Sequence, residues 1–245
     1  MTIEPTTAPE DRTPDAGAPD TAASPGILVV DIGGNNIKMR HEHSDERRKS
    51  KTGRNFTPQQ AVEAIRTLAG DWNYDRVTIG CPGPVTHNRL ALEPVNLGKG
   101  WLDFDFAAAL GVETRLINDA VMQAIGSYDG GKMLFMGLGT GLGMAIVADG
   151  LALPLETAHL PYKGEYTFED CVGQRGLDRL GRKAWEATVH DVVARFKVAL
   201  VVDYVVLGGG NTKRLKKLPA DARAGDNAHA FAGGFRLWNE DIRTV

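Results

Sequence analysis

Apolar runs along the chain end in glycine-rich turns, and segments with the spacing of amphipathic helices separate them. ILVV at 27–30, MLFM at 133–136 and YVVL at 204–207 each predict a buried strand with glycine soon after it. RVTIG and ETRLIND predict further strands. Because strands alternate with helices along the chain, the pattern predicts an α/β protein.

The clearest predicted helix begins at Thr57, which is a good N-cap residue. Pro58 takes the first helical position, Gln60 completes a capping box, and Gly70 ends the helix. Further helices are predicted in WLDFDFAAALG, in DAVMQAIGSY, over residues 175 to about 198 and in the basic segment NTKRLKKLP. NNIKMRHEHSDERRKSKTG predicts an exposed hairpin.

The strand-and-glycine units that begin at Ile27 and Met133 lie roughly a hundred residues apart, which indicates a duplicated, two-lobed architecture. Residues 1–25 are rich in Pro, Thr, Ala and Asp and predict a disordered tail. We place an N-terminal lobe over residues 26–118 and a C-terminal lobe over residues 119–245.

Composition narrows the class of protein. The chain has 245 residues, 42% of them hydrophobic and 24% charged, which is ordinary for a globular protein. A formal net charge of -3 gives no reason to expect nucleic acid or an anionic membrane as a partner. Two cysteines exclude a disulfide framework and a four-cysteine metal site, and they suit a reducing compartment. With no spanning segment and no secretory signal pattern, we expect a cytoplasmic protein.

Three glycine turns follow predicted strands: Gly33–Gly34, Gly137–Gly143 and Gly208–Gly210. None fits the P-loop or the dinucleotide fingerprint. Each can be only a tight turn, but backbone N–H groups at glycine can also approach an anion. Three such turns favour a phosphate donor, and Asp31 beside the first could hold Mg²⁺ through water.

Eight motifs occur in an order that resembles the ROK family of sugar kinases: VVDIGGNNIK, IGCPGPV, VNLGKGW, LINDA, GLGTGLGMAIV, LETAH, FEDCVG and VVLGGG. The resemblance implies the two-lobed, duplicated actin-like and ribonuclease-H-like ATPase fold, with the active site in the cleft between the lobes. ETAHL and the lack of a zinc loop are most similar to the polyphosphate glucokinase branch.

The resemblance also implies roles for individual residues. Asp119 matches the general base on the sugar 6-hydroxyl, although the Asn118–Asp119 pair taken alone favours a helix N-cap. Matches to sugar-binding positions are Asn96, Asn118, Asp119, Glu156, His159 and Glu169. Matches to phosphate-binding positions are Asp31, Gly33, Gly34, Asn35, Gly139, Thr140 and Gly141.

Several positions depart from the family pattern. Asn35 replaces the usual Thr or Ser, and Ala158 replaces a glycine beside His159. The cysteine-rich zinc run is missing, so no zinc is expected. Trp101 matches the sugar-side loop, but it could instead pack in the core. The pair His41 and His43 is not expected to bind a metal.

Basic residues follow the third glycine turn. Gly208, Gly209, Gly210, Lys213 and Arg214 are predicted to contact the far end of a nucleotide or a polyphosphate chain. A solvated helix face is the alternative. The segment RGLDRLGRK invites the same two interpretations.

These residues together predict a hexose kinase that uses polyphosphate or ATP with Mg²⁺ to phosphorylate glucose, and the family's habit implies a homodimer. One alternative is a catalytically silent sugar sensor. A DNA-binding repressor is not expected, because the 25 residues of the tail are too few for a helix-turn-helix module. Another alternative is an amino-sugar kinase, which the missing zinc loop disfavours.

Overall fold

The computed structural model describes residues 25–239 and 242–244, so the predicted tail lies outside the described residues except for Pro25. The strands are β1 (Gly26–Ile32), β2 (Asn36–His41), β3 (Arg47–Lys51), β4 (Tyr74–Cys81), β5 (Val85–Thr86), β6 (Arg89–Leu90), β7 (Glu113–Asn118), β8 (Lys132–Leu138), β9 (Leu142–Ala148), β10 (Leu151–Leu155), β11 (Pro161–Lys163), β12 (Tyr166–Thr167), β13 (Tyr204–Gly208), β14 (Ala222–Ala224) and β15 (Arg243–Thr244). The α-helices are α1 (Pro58–Ala69), α2 (Phe106–Leu110), α3 (Asp119–Ser127), α4 (Phe168–Val172), α5 (Gln174–Leu200) and α6 (His229–Asn239).

The first large sheet has the strand order β3-β2-β1-β4-β7. Strands β1, β4 and β7 are parallel, so Asp31 and Asn118 come to the same edge of the sheet. Strands β2 and β3 form the predicted hairpin. It is only partly exposed, because Ile37 and Met39 of β2 are buried against the core while β3 lies at the sheet's edge.

The second large sheet has the order β14-β13-β8-β9-β10-β15. Strands β8 and β13 are parallel and pair Gly137 with Gly208. The second and third glycine turns therefore lie side by side at one edge of this sheet. The two mixed sheets with helices confirm the predicted α/β fold.

Helices α3 and α6 join the two sheets. One hydrophobic cluster contains Val29 of β1, Met122 of α3, Phe135 of β8 and Phe231 of α6. The two helices pack backbone to backbone at Gly126 and Gly233. Since α3 contacts strands of both sheets and α6 packs on α3 and on β1 and β4, the division at residue 118 stays a prediction.

Local signals predicted several helix ends correctly. Thr57 caps α1, with Gln60 completing the capping box and Gly70 following at a φ of 54°. Helix α5 covers the predicted region but is interrupted at Gly181, where φ is 70° and ψ is 159°. No helix in the described part of the chain is both long and apolar enough to cross a membrane.

The helix predicted in NTKRLKKLP is wrong. Only a short 3-10 helix, Gly210–Arg214, forms there, and Leu215 is extended. The Thr212 hydroxyl donates to the carbonyl of Gly208, which holds the turn against the strand it leaves. The chain then runs beside α5, where the Lys217 N–H donates to Glu186 at 3.0 Å.

Candidate active site

A cavity of about 470 Å³ lies between the residues at the ends of the parallel strands of the first sheet and the glycine turns of the second. The predicted site residues that line it are Asp31, Gly33, Gly34, Asn96, Asn118, Asp119, Gly139, Thr140, Gly141, Glu156, Glu169 and Gly209. The fold thus gathers at one cavity residues that are up to almost two hundred positions apart.

Other predicted residues are not part of this lining. They are Asn35, His159, Gly208, Gly210, Lys213 and Arg214. Asn35 is exposed beside the first turn, and its carbonyl accepts from the Thr52 N–H at 3.2 Å. His159 is exposed, while its neighbour Ala158 is buried. The Ala158 carbonyl accepts from Glu169 N–H at 2.9 Å and so closes this loop.

Asn118 and Asp119 lie where β7 ends and α3 begins. The Asn118 side chain accepts from the N–H groups of Ala120 and Val121 at 3.0 and 3.1 Å, which confirms its N-cap role. Its amide also donates to the Gly83 carbonyl at 2.9 Å. One oxygen of Asp119 accepts from Ala120 N–H at 2.8 Å. These bonds fix the direction of the Asp119 carboxylate, which lines the cavity.

The electrostatics around Asp119 favour a base that works near neutral pH. Burial raises the pKa of Asp119 to about 6, and the charge of Asp31 acts in the same direction. Backbone hydrogen bonds from Ala120 and from Asp119 itself oppose the rise, and Glu156 adds to it. A carboxylate whose pKa lies just below working pH is ionised yet retains a strong affinity for a proton.

Asp31 forms an ion pair with Lys38, whose Nζ lies 3.0 Å from Oδ2. The two residues are opposite each other in the β1–β2 pair, and both line the cavity. Lys38 thus places a cation at the wall beside the first glycine turn. Sequence reasoning missed it, although the tight return of the chain after Gly34 brings Lys38 back to Asp31.

The first glycine turn packs closely against the loop that carries Asn96. A Cβ on Gly34 would lie 3.1 Å from Cβ of Asn96. The absence of a side chain at Gly34 therefore lets the predicted phosphate turn and the predicted sugar loop meet.

Trp101, in the same loop, is buried and donates from its indole N–H to the Phe56 carbonyl at 3.2 Å, so it packs in the core.

The second glycine turn is held by the segment that leads into α5. The Gln174 N–H donates to the carbonyl of Gly139 at 3.0 Å, and the Asn211 side chain donates to the same oxygen at 3.0 Å. Glu169 accepts from Leu142 N–H at 3.1 Å. A Cβ on Gly141 would lie 2.4 Å from that Glu169 carboxylate, so glycine is what allows the carboxylate to approach the turn.

Glu156 and Glu169 line the cavity and lie at the two ends of one connecting segment, which contains the β11–β12 hairpin. Glu169 also pairs with Arg175, whose guanidinium lies 3.1 Å from Oε1. The Leu142 N–H and Arg175 thus fix a carboxylate where the resemblance expects a sugar ligand.

The third glycine turn contributes Gly209, whose φ of 81° and close approach to Leu138 require glycine.

Two further polar residues in the lining were not predicted. Gln123 lies one helical turn after Asp119, so the helical period could have identified it. It donates to Asn227 at 3.3 Å. Asn227 precedes α6, a helix that was not predicted from the sequence.

The described residues contain no group of three His, Cys, Asp or Glu side chains that could hold a metal ion. Cys81 and Cys171 are buried, unpaired thiols. Cys81 belongs to a buried hydrophobic cluster, which confirms that it is a packing residue. Burial, followed by the charges of Asp119 and Asp31, raises the pKa of its thiol well above the ordinary value.

Comparison with solved structures defines the class of fold. Inorganic polyphosphate/ATP-glucomannokinase from Arthrobacter sp. strain KM superposes with a TM-score of 0.74 at 22% identity, over 87% of this chain and 98% of that one. A ROK family glucokinase from Streptomyces griseus, solved with glucose and AMPPNP, gives a TM-score of 0.66 at 15% identity, over 86% and 98%. The fold is that of the ROK and hexokinase-type sugar kinases.

Sequence comparison agrees with the fold. Polyphosphate glucokinase of Mycobacterium tuberculosis is 24% identical over 227 residues, which is 81% of this chain and 85% of the relative. N-acetylmannosamine kinase of Citrobacter koseri is 32% identical over 142 residues, or 51% and 49%. No protein-family model matches the chain. The matches confirm the resemblance to the ROK family of sugar kinases, with polyphosphate glucokinases among the curated homologues at low identity.

Proposed function

We propose that the protein is a hexose kinase that transfers a phosphoryl group from polyphosphate or ATP to the 6-hydroxyl of glucose. The observation that carries the proposal is the position of Asp119, a carboxylate with a pKa of about 6 in the wall of a cavity that also contains the glycine turns. Phosphoryl transfer to an alcohol needs such a base, together with groups that position the two substrates.

Residues of the cavity divide between the two substrates. Asn96, Glu156 and Glu169 supply polar groups that could hold sugar hydroxyls. The turns at Gly33–Gly34 and Gly139–Gly141 line the donor side of the cavity. The N–H groups of Gly33 and Gly139 already donate to the carbonyls of Asn36 and Gly141, so the remaining backbone N–H groups of the two turns would meet the donor phosphates. In this arrangement Asp119 accepts the proton of the 6-hydroxyl while that oxygen bonds to the terminal phosphorus. The bond from this phosphorus to the bridging oxygen of the donor breaks, and ADP or polyphosphate shortened by one unit leaves.

Asp31 and Lys38 complete the donor side. One carboxylate that reaches a cation through water, with phosphate oxygens as the other ligands, fits the way proteins bind Mg²⁺. When bound, Mg²⁺ would neutralise charge on the donor phosphates. Lys38 neutralises part of the charge of Asp31 and offers the donor a second cation.

Both kinds of donor have support among the similar proteins, since the Arthrobacter enzyme is named for polyphosphate and ATP and the Streptomyces structure holds AMPPNP. The test is a matrix of donors and sugars, in which polyphosphate and ATP are each combined with glucose, mannose and N-acetylmannosamine. We expect glucose 6-phosphate with at least one donor. Folded protein that forms no sugar phosphate in any combination would refute the proposal.

The match to N-acetylmannosamine kinase favours a second candidate, an amino-sugar kinase of the same fold. Preferential turnover of N-acetylmannosamine in the same matrix would select it. A catalytically silent sensor would instead bind a sugar, as seen by calorimetry, without consuming either donor.

The pKa of Asp119 predicts how activity depends on pH. A base must be unprotonated, so kcat/KM for the sugar should rise with pH, reach half its maximum near pH 6 and stay level to about pH 8. We would measure this profile at saturating donor and repeat it with the second donor. If the rise of kcat/KM reflects ionisation of the enzyme and not of the donor, its midpoint should be the same with both donors. A profile that is flat from pH 5 to 8 with both donors would contradict the assignment.

A further inference from the structure

The segment that connects Glu156 to Glu169 has no metal cluster among its described residues, yet its position determines where both carboxylates lie. Two backbone hydrogen bonds close its base: Phe168 N–H donates to Leu160 at 3.2 Å, and Glu169 N–H donates to Ala158 at 2.9 Å. The β11–β12 hairpin projects beyond that base. Whatever fixes the hairpin therefore also fixes the two glutamates.

The hairpin is attached to α5 by a small network centred on Tyr162. The Tyr162 hydroxyl donates to the Asp191 carboxylate, and Arg195 donates to the same carboxylate oxygen at 2.9 Å. The Tyr162 ring stacks on Phe168, with 4.8 Å between centroids, and Phe168 in turn contacts Phe196 at 4.7 Å. The Tyr162–Asp191 bond and the stack on Phe168 thus hold one strand of the hairpin, and the contact of Arg179 with the Tyr166 ring holds the other.

The charges in the network agree with this geometry. Burial, then the hydrogen bond to Asp191, raises the pKa of Tyr162 above its usual value. The hydrogen bonds from Tyr162 and Arg195 lower the pKa of Asp191. The network therefore stays a phenol bonded to a carboxylate throughout the neutral range, and it holds the hairpin with a charge-assisted hydrogen bond.

We propose that Tyr162 and Asp191 are positioning residues for the sugar, because their bond anchors the segment that presents Glu156 and Glu169 to the cavity. The inference rests on the proposed function, and it assigns to a tyrosine–aspartate bond the task of orienting the sugar-binding segment. Neither residue lines the cavity, so both act through the two glutamates.

The test compares Tyr162→Phe and Asp191→Ala with the wild type. Tyr162→Phe keeps the stack on Phe168 and removes only the hydroxyl. Tyr166→Phe is the matched control, because Tyr166 lies in the same hairpin and its ring contact with Arg179, at 3.7 Å, survives the change. A double variant of Tyr162 and Asp191 tests whether the two residues act through one bond.

Loss of the bond should raise the sugar KM and Kd by about 3- to 10-fold, less than the full effect of a hydrogen bond to a charged group, because the two residues act on the sugar only through Glu156 and Glu169. We expect kcat and the donor KM to change less than about 2-fold, because a group that holds the sugar equally in ground and transition states affects KM alone. The double variant should be no worse than the single ones, and Tyr166→Phe should match the wild type.

Hydrogen exchange of the Phe168 and Glu169 amides gives a second readout that needs no sugar. Both amides should exchange faster in Tyr162→Phe and Asp191→Ala than in the control. Unchanged exchange, or faster exchange with an unchanged sugar KM in active enzyme, would overturn this inference alone. If the wild type binds no sugar, the proposed function is wrong, and so is the positioning role of the Tyr162–Asp191 bond.

Discussion

Replacing Asp119 with asparagine is expected to lower kcat by about 10²- to 10⁴-fold, the usual contribution of a general base. Asparagine has nearly the same shape and can keep the hydrogen bond that Ala120 N–H gives to Oδ1 at 2.8 Å. The polar groups that face the sugar also remain, so the Kd for glucose measured by calorimetry should change little. Single-turnover assays with the preferred donor would isolate the chemical step.

The stability of the same variant provides the control. The pKa of Asp119 is raised from 3.8 to about 6 in the folded protein, so ionisation is less favourable there than in the unfolded chain. The wild type therefore loses stability as pH rises from about 4 to about 6, and this loss persists at higher pH. Asp119→Asn should unfold with a free energy higher by about 1 to 3 kcal/mol at pH 7.5, and the gain should disappear near pH 4.

Together these two measurements separate catalysis from folding. A variant that turns over slowly yet unfolds at a higher urea concentration has lost a reacting group rather than its structure. Near-normal turnover would exclude Asp119 as the base. Slow turnover with a lower free energy of unfolding would mean instead that the carboxylate serves the fold.

Local sequence signals predicted those parts of the site that depend on neighbouring residues. Asn118 ends a strand and Asp119 opens a helix, so one stretch of sequence gives both the cap and the proposed base. The three glycine turns also follow strands directly, and the parallel pairing of β8 with β13 brings two of them together. The α/β topology places all three turns at one cavity.

Contacts between distant segments were harder to predict. Lys38 reaches Asp31 through the register of β1 and β2, which alternation alone does not fix. Helix α6 was missed, and it contains Gly233 and Gly234, residues that lower helix propensity. The basic segment after Gly210 has the composition of a helix, but its bonds to Gly208 and Glu186 replace helical ones.

The glycines of α6 and α3 account for the second large effect that we expect. A Cβ on Gly126 would lie 1.8 Å from the His229 carbonyl oxygen, and one on Gly233 would lie 1.8 Å from the Met122 carbonyl oxygen. Alanine favours a helix over glycine by about 1 kcal/mol, so propensity alone predicts that Gly126→Ala stabilises the protein. The helix contact predicts the opposite, since two backbones would have to separate.

We expect Gly126→Ala to lower the free energy of unfolding by about 3 kcal/mol or more, at the upper end of overpacking effects. Urea unfolding would measure it, with Gly53→Ala as control, because a Cβ there meets no atom within 4 Å and φ is not positive. An equal or higher urea midpoint for Gly126→Ala would mean that the two helices do not touch.

Since α3 begins at Asp119 and α6 follows Asn227, the same contact sets the distance between two walls of the cavity. Folded Gly126→Ala protein should therefore also lose activity, even though residue 126 lies two helical turns from the proposed base.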